Sequence, residues 1–269
     1  MKLALAQVNQ TAGNVDDNLE RAERAVADAA ADGADLVALP ELFTVGYFAF
    51  ESYAREAEGL DGPAFRRLGD LAAEHGVGLL AGSHVEDLEA SAEAGYETPD
   101  DQGLANTAVF FDRTGERRAV YRKHHLFGYE SAEARLLTPG ERLETVDFEG
   151  FRVCMTTCYD LRFPELYRDF AEKGATLVLV PSAWPYPRVE HWTTLTRARA
   201  IENLCYLGAV NGAATFEDAT LLGRSTVYDP WGVPLASAGD EPTTVVAEID
   251  PDRVDRVRDR FPAWMDRRR

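Results

Sequence analysis

Lysine is almost missing from this chain. Only Lys2, Lys123 and Lys173 occur, so the other 25 of its 28 basic residues are arginines. Cysteine is scarce as well, with Cys154, Cys158 and Cys205 and no CxxC pair. An odd count without a secretory signal argues against a disulfide framework. The five histidines form neither HExxH nor a zinc-finger spacing, so no structural zinc site is expected. No apolar run approaches the roughly 18–20 residues that a bilayer-crossing helix needs. The apolar stretch after Met1 is too short for a signal peptide and reads as a first strand, so a soluble, cytoplasmic protein is expected. Positive charge is in deficit: 28 basic against 46 acidic residues gives 28 − 46 = −18. A field of that sign repels phosphate backbones and anionic lipid, which argues against a nucleic-acid or membrane partner. Acid-rich, lysine-poor composition resembles that of salt-adapted proteins, where salt screens the self-repulsion; GC-rich codon bias in an acidic proteome produces the same skew. Either way, a retained lysine invites the question of what arginine could not do there.

What is present suits a large α/β unit. The 269 residues are 45% hydrophobic and 10% aromatic, enough for a core without disulfide or metal support. Strand-like runs cover Leu3–Val8, Asp35–Leu39, Gly78–Val85, Ala105–Asp112, Arg152–Thr157, Thr176–Val180, Leu204–Asn211, Ser225–Tyr228 and Thr244–Ile249. Helix-like segments cover Asn14–Asp32, Pro63–His75, Pro164–Lys173, Glu190–Asn203 and Pro251–Arg260. Pro63, Pro164 and Pro251 suit first helical turns, while Gly33, Gly76 and Gly174 suit stops. Leu88–Gln102 reads as an exposed insertion or hairpin loop. The Arg267-Arg268-Arg269 tail reads as solvated or partner-contacting. With no repeat or linker, residues 1–269 read as one domain whose sheet is not simply doubly wound.

Three polar residues fall where apolar runs end. Glu41 follows Leu36-Val37-Ala38-Leu39-Pro40, Lys123 follows Val120-Tyr121-Arg122, and Cys158 follows Arg152–Thr157 with a proline-started helix beyond. Sites in open α/β folds gather at such strand ends. A cysteine between strand and helix lies near helix N–H groups, which favour a thiolate. Together the three fit a cysteine hydrolase. Thiolate is the nucleophile, carboxylate moves its proton to a leaving amine, and ammonium steadies an oxyanion. Each residue also has an ordinary reading: surface charge for Glu41 and Lys123, buried core for Cys158. Cys154 and Cys205, inside apolar strands, are assigned to core packing.

Context decides between these readings. Leu39-Pro40-Glu41-Leu42-Phe43, Tyr121-Arg122-Lys123-His124-His125-Leu126-Phe127 and Cys158-Tyr159-Asp160-Leu161-Arg162-Phe163-Pro164-Glu165 occur in that order. Together they resemble the nitrilase superfamily of carbon–nitrogen hydrolases. The likeness continues through Pro181-Ser182-Ala183-Trp184, His191-Trp192, Arg197–Asn203, Gly223-Arg224-Ser225 and Asp229-Pro230-Trp231-Gly232. It implies a four-layer α-β-β-α sandwich, commonly dimerised or further assembled through a helical face, and a cofactor-free reaction. It implies Glu41 as general base, Lys123 as oxyanion stabiliser and Cys158 as nucleophile, with the backbone N–H of Tyr159 completing the oxyanion site. It also implies a second glutamate, placed at Glu133, six residues before Pro139, with Glu130 as the alternative.

Within the superfamily, the Cys158–Glu165 run looks more like the amidase branches, nearest to ω-amidases and deaminated-glutathione amidases. The expected activity is therefore hydrolysis of a small linear amide through a thioester. A nitrile hydrolase, an N-carbamoyl amine hydrolase and a catalytically silent dimeric scaffold are the alternatives. The chain departs from the familiar pattern at Trp184–Glu190, where Trp184 and Tyr186 are expected to shape the pocket, and at Thr157 before the nucleophile.

Overall fold

The first long helix shows how local sequence sets the architecture. Asn14 caps α1 (Val15–Ala31) by accepting from the Asp17 N–H, and Asp16 and Asp17 sit in its first turn, where carboxylates complement the helix dipole. Leu19, Ala22, Val26 and Ala29 form its buried stripe. It stops before Gly33, whose φ of +82° suits a residue without a Cβ. The computed structural model describes residues 1–129, 131–266 and 268. Glu130, Arg267 and Arg269 thus lie outside the described residues.

In chain order the strands are β1 (Lys2–Gln7), β2 (Leu36–Ala38), β3 (Gly78–Asp87), β4 (Leu104–Phe111), β5 (Arg117–Arg122) and β6 (Thr145–Phe148). They continue with β7 (Phe151–Met155), β8 (Leu177–Ser182), β9 (Tyr206–Asn211), β10 (Thr226–Tyr228), β11 (Pro234–Ser237) and β12 (Thr243–Glu248). The helices after α1 are α2 (Tyr53–Glu56), α3 (Pro63–His75), α4 (Leu88–Glu93), α5 (Glu133–Leu136), α6 (Pro164–Glu172), α7 (Val189–Asn203) and α8 (Pro251–Arg260). Among the described residues the strands form two six-stranded sheets, ordered β12-β1-β2-β3-β4-β5 and β11-β10-β9-β8-β7-β6. In each, a parallel centre is flanked by antiparallel strands. The sheets pack face to face, with α1 and α3 outside the first and α6 and α7 outside the second. This is the four-layer α-β-β-α sandwich.

Alternation along the strands builds two apolar layers. Leu3, Leu5, Leu36 and Ala38 point between the sheets, against Val153, Leu177, Leu179 and Leu207. Ala4, Ala6, Val37 and Leu39 point the other way, under Leu19, Val26, Phe65 and Leu68 of α1 and α3. Each fully buried large side chain contributes about 1.5–3 kcal/mol.

Two expectations change. Leu88–Gln102 is not simply an exposed loop, because it opens with α4. Asp87 caps α4 by accepting from the Ala90 N–H, Leu88 is fully buried, and Ser91 accepts the Leu60 N–H. Burial of those two side chains outweighs the polar residues around them. The other change is a gain of strands. β6 and β7 form a hairpin through Glu149 and Gly150 at φ +49° and +82°, as a two-residue turn with both central residues left-handed requires. β5 and β11 also pair at sheet positions outside the nine strand-like runs, although Val120-Tyr121-Arg122 marks the end of β5.

His84, in β3, carries a pH dependence. It is 1% exposed, its Nδ1 lies 2.7 Å from the Thr44 hydroxyl, and burial pulls its pKa from 6.5 to about 4. Between those values the unfolded chain takes up a proton that the folded chain refuses. Stability from this group is therefore present above about pH 6.5 and lost as pH falls towards 4. Thermal midpoints at about pH 7 and pH 5 should differ less in His84→Gln than in the unsubstituted protein. Equal drops would contradict this.

Candidate functional site

Glu41 lies just beyond β2, Lys123 directly after β5, Cys158 just beyond β7, and Ala183 directly after β8. These ends belong to different sheets, and the face-to-face packing brings them together. Close backbone approaches fix the joins. A Cβ on Gly82 would lie 1.9 Å from the Leu39 carbonyl oxygen, so only glycine lets β3 pass the segment leading to Glu41. A Cβ on Gly140 would lie 2.2 Å from the Arg122 carbonyl oxygen, and the Gly140 N–H donates to the Lys123 carbonyl at 2.9 Å. Two site positions are backbone-strained: Leu42, after Glu41, at φ +43°, and Cys158 itself at φ +44°. Such conformations persist only where surroundings over-determine them. At Leu42 the N–H donates to Ser83 Oγ at 2.7 Å. At Cys158 the clamp is Asp160, which accepts the Thr157 N–H, the Tyr121 hydroxyl and the His125 N–H at 2.9, 2.7 and 2.9 Å.

The centre is a buried charge cluster. Lys123 Nζ donates to Glu41 Oε1 at 2.8 Å and to Glu133 Oε1 at 2.6 Å, with Lys123 1% exposed and both glutamates 0%. Glu133 Oε2 accepts the Tyr47 hydroxyl at 2.9 Å and the Phe127 N–H at 2.7 Å. Glu41 Oε2 accepts the Ala183 N–H at 2.9 Å. A surface reading of Glu41 and Lys123 is thereby excluded. Removing one partner from such a buried cluster would leave uncompensated charge, at a cost of about 3–5 kcal/mol.

Electrostatics set the resting protonation. Burial would pull the Lys123 ammonium down, but the Glu133 and Glu41 carboxylates reverse this and hold its pKa well above the usual lysine value. Burial raises Glu41 too; Lys123 opposes and Glu133 reinforces the rise. The expectation of a thiolate at Cys158 is corrected here. Burial, followed by the Glu41 charge, pushes the Cys158 pKa well above the usual thiol value, and Lys123 only partly opposes them. The segment after Cys158 is a single five-residue 3₁₀ turn, too short for a strong dipole to offset that burial. Burial therefore favours the neutral thiol at Cys158, beside the Glu41 carboxylate. A base must act during attack.

Cys158 opens into a cleft of about 290 Å³ whose lining includes Lys123, Tyr47, Phe127, Tyr159, Trp184 and Arg188. The Tyr159 ring stands edge-on to Phe127 and Phe163, at centroid distances of 5.0 and 5.4 Å. Arg162 lies 5.0 Å from the Trp184 ring and Arg188 lies 5.8 Å from the Phe127 ring. Neither arginine forms an ion pair with a carboxylate among the described residues. Asp218 is the acidic residue of the same lining.

The structure therefore brings together Glu41, Lys123, Glu133 and Cys158, and it places Tyr159 and Trp184 in the cleft wall. Tyr186 is not part of that wall; its hydroxyl donates to Asp240 at 2.6 Å in an adjoining groove. Cys154 and Cys205 lie in the core at 0% and 1% exposure. Asn106, Tyr47 and Arg188 were not singled out in the sequence. Asn106 had a signal, a polar amide inside the apolar run Leu104–Phe111, whereas Tyr47 had none. Among the described residues, no group of three or more His, Cys, Asp or Glu is arranged to hold a metal ion.

Comparison with known proteins agrees with this geometry. Residues 2–259 match the family model described as carbon-nitrogen hydrolase. The chain is 36% identical over 239 residues to a 2-oxoglutaramate amidase of Paenarthrobacter nicotinovorans, covering 87% of this chain and 79% of that protein. It is 33% identical over 275 residues to the human omega-amidase NIT2, covering 99% and 95% of the two chains. Among solved structures, Saccharomyces cerevisiae Nit3, of the nitrilase superfamily, superposes with a TM-score of 0.86 at 29% identity, covering 97% of this chain and 94% of that one.

Proposed function

The chain belongs to the carbon–nitrogen hydrolase family, and from that membership we propose that residues 1–269 form one amidase domain that cleaves a small linear amide bearing a carboxylate. The carrying observation is that Cys158 lines a largely apolar cleft together with buried Lys123, whose ammonium donates to Glu41. Glu41 takes the thiol proton as sulfur attacks the amide carbon, and the carbonyl electron pair moves onto oxygen. The Lys123 ammonium and the Tyr159 backbone N–H stabilise that oxyanion. Glu41 returns the proton to nitrogen, the C–N bond breaks, and ammonia leaves a thioester on Cys158. Glu41 then takes a proton from water, hydroxide adds to the thioester, and sulfur departs and is reprotonated. Glu133 holds the far side of Lys123 and keeps it aimed. No cofactor enters these steps.

The guanidinium groups of Arg162, which meets His191 Nδ1 at 3.2 Å, and Arg188 form no ion pair with a carboxylate among the described residues, and this supports a substrate with an anionic end, as does the 2-oxoglutaramate amidase likeness. Ammonia release should therefore be much faster from a short amide with a terminal carboxylate than from its neutral ester. Arg188→Ala should raise KM about tenfold or more for the first and leave the second nearly unchanged, because a charge-assisted hydrogen bond contributes about 1.5–3 kcal/mol. Equal kcat/KM for both amides would sink the substrate reading. Hydrolysis of nitriles or N-carbamoyl amines, with amides inert, would move the enzyme to another branch. Exposed Ile201, Trp231 and Phe261, the last two rings 5.9 Å apart, support a homodimer joined through the α7 face. No helix among the described residues is long and apolar enough to cross a membrane, and a cytoplasmic setting is part of the same proposal.

A further inference from the structure

Asn106 stands in β4 at 0% exposure, touching both carboxylates of the cluster. Its Nδ2 donates to Glu41 Oε1 at 2.9 Å and reaches Glu133 Oε1 at 3.4 Å, the same two atoms that Lys123 holds. Chemistry settles the orientation of the amide. Ionised carboxylates only accept, so the nitrogen must face them. Its backbone carbonyl accepts the Lys123 N–H at 2.9 Å, which ties the lysine to the same residue.

A carboxylate oxygen has two lone pairs. On Glu41, Oε1 uses one for Lys123 and one for Asn106, whereas Oε2 uses one for the Ala183 N–H. With both lone pairs of Oε1 filled, the second lone pair of Oε2 is the one left for the thiol proton. We propose that Asn106 is a positioning residue for proton transfer: with Lys123 it fills Oε1, so that Glu41 receives and returns the Cys158 proton at Oε2 alone. The S–H bond breaks as an O–H bond forms at Oε2, and the negative charge passes from carboxylate to attacking sulfur. The proton then passes from Oε2 to the departing nitrogen without the carboxyl group having to rotate. The groups facing Glu41 are Lys123, Glu133, Cys158, Tyr47, Tyr53, Asn106 and the Ala183 N–H. Without the amide donor, Oε1 offers the proton a second seat, and the charged form of Glu41 loses a stabilising bond.

This inference rests on Glu41 being the general base. The test is the pH dependence of kcat and kcat/KM for Asn106→Leu, which matches the amide in size, with Glu41→Gln in parallel. In Asn106→Leu, kcat near neutral pH should fall by roughly ten- to a hundredfold, the acid limb should move to higher pH, and KM should stay close to its original value. If the leucine variant fails to fold, Asn106→Thr, which suits a strand and keeps a shorter donor, should show the same changes at smaller size. An acid limb unmoved in a folded variant, with only the thermal midpoint lowered, overturns the proposal and leaves Asn106 a purely structural residue. Inactive Glu41→Gln beside such a result leaves the general-base reading standing; active Glu41→Gln removes both.

Discussion

Cys158→Ala should abolish amide turnover while the chain folds as before. Only the sulfur is lost, and alanine keeps the Cβ that the surrounding backbone already accommodates at φ +44°. The clamp on this turn runs through Asp160 and its bonds to Thr157, Tyr121 and His125, none of which involves the sulfur. Removing a nucleophile of this kind costs on the order of 10⁶ in kcat. The other two cysteines make the contrast. Cys154→Ala and Cys205→Ala each leave a small cavity in the core, costing about 1 kcal/mol or somewhat more, with kcat unchanged. Thermal melts and steady-state kinetics on the three variants decide it. A Cys158→Ala enzyme that still released ammonia would remove the mechanism.

Replacing Lys123 should cost nearly as much. In Lys123→Arg the wider planar guanidinium cannot place one donor where the ammonium sits, 2.8 Å from Glu41 and 2.6 Å from Glu133. Losing an oxyanion donor costs about 10²–10³ in rate, or roughly 2.7–4 kcal/mol. Sequence alone suggests that stability would be spared; full burial says otherwise, and the thermal midpoint should fall together with kcat. Lys123→Met should fall further, by about 3–5 kcal/mol, because two carboxylates stay buried without a cation. Lys173→Arg, at the exposed C-cap of α6, should be silent in both measurements. Kinetics and melts in one salt concentration separate these outcomes, and a Lys123→Arg enzyme with its original rate would return Lys123 to an ordinary charge.

The parts of this account legible in the sequence are those with local signals. Glu41, Lys123 and Cys158 follow apolar runs that end in proline, charge or a helix start, and packing the sheets carries those ends to one place. Glu133 came only with the family resemblance, which implies a second glutamate six residues before Pro139. What could not be read is what depends on distant partners. Asn106 reaches Glu41 across 65 residues and Tyr47 reaches Glu133 across 86. The upward push on the Cys158 pKa could not be read for the same reason. Proximity to a helix start is visible in the sequence, whereas burial beside a carboxylate from the other sheet is not. The α4 turn was hidden because its two buried side chains are outnumbered by exposed neighbours.

The central claim is that catalysis passes through an acyl group on Cys158. Acid-quenching the enzyme during turnover of a p-nitrophenyl hemisuccinate, an activated ester chosen to acylate faster than it deacylates, tests this by peptide mass spectrometry. The account predicts a succinyl mass on the peptide containing Cys158, a burst of about one nitrophenol per site, and neither signal in Cys158→Ala. A succinyl group found on any other residue, or a burst that survives in Cys158→Ala, would contradict it.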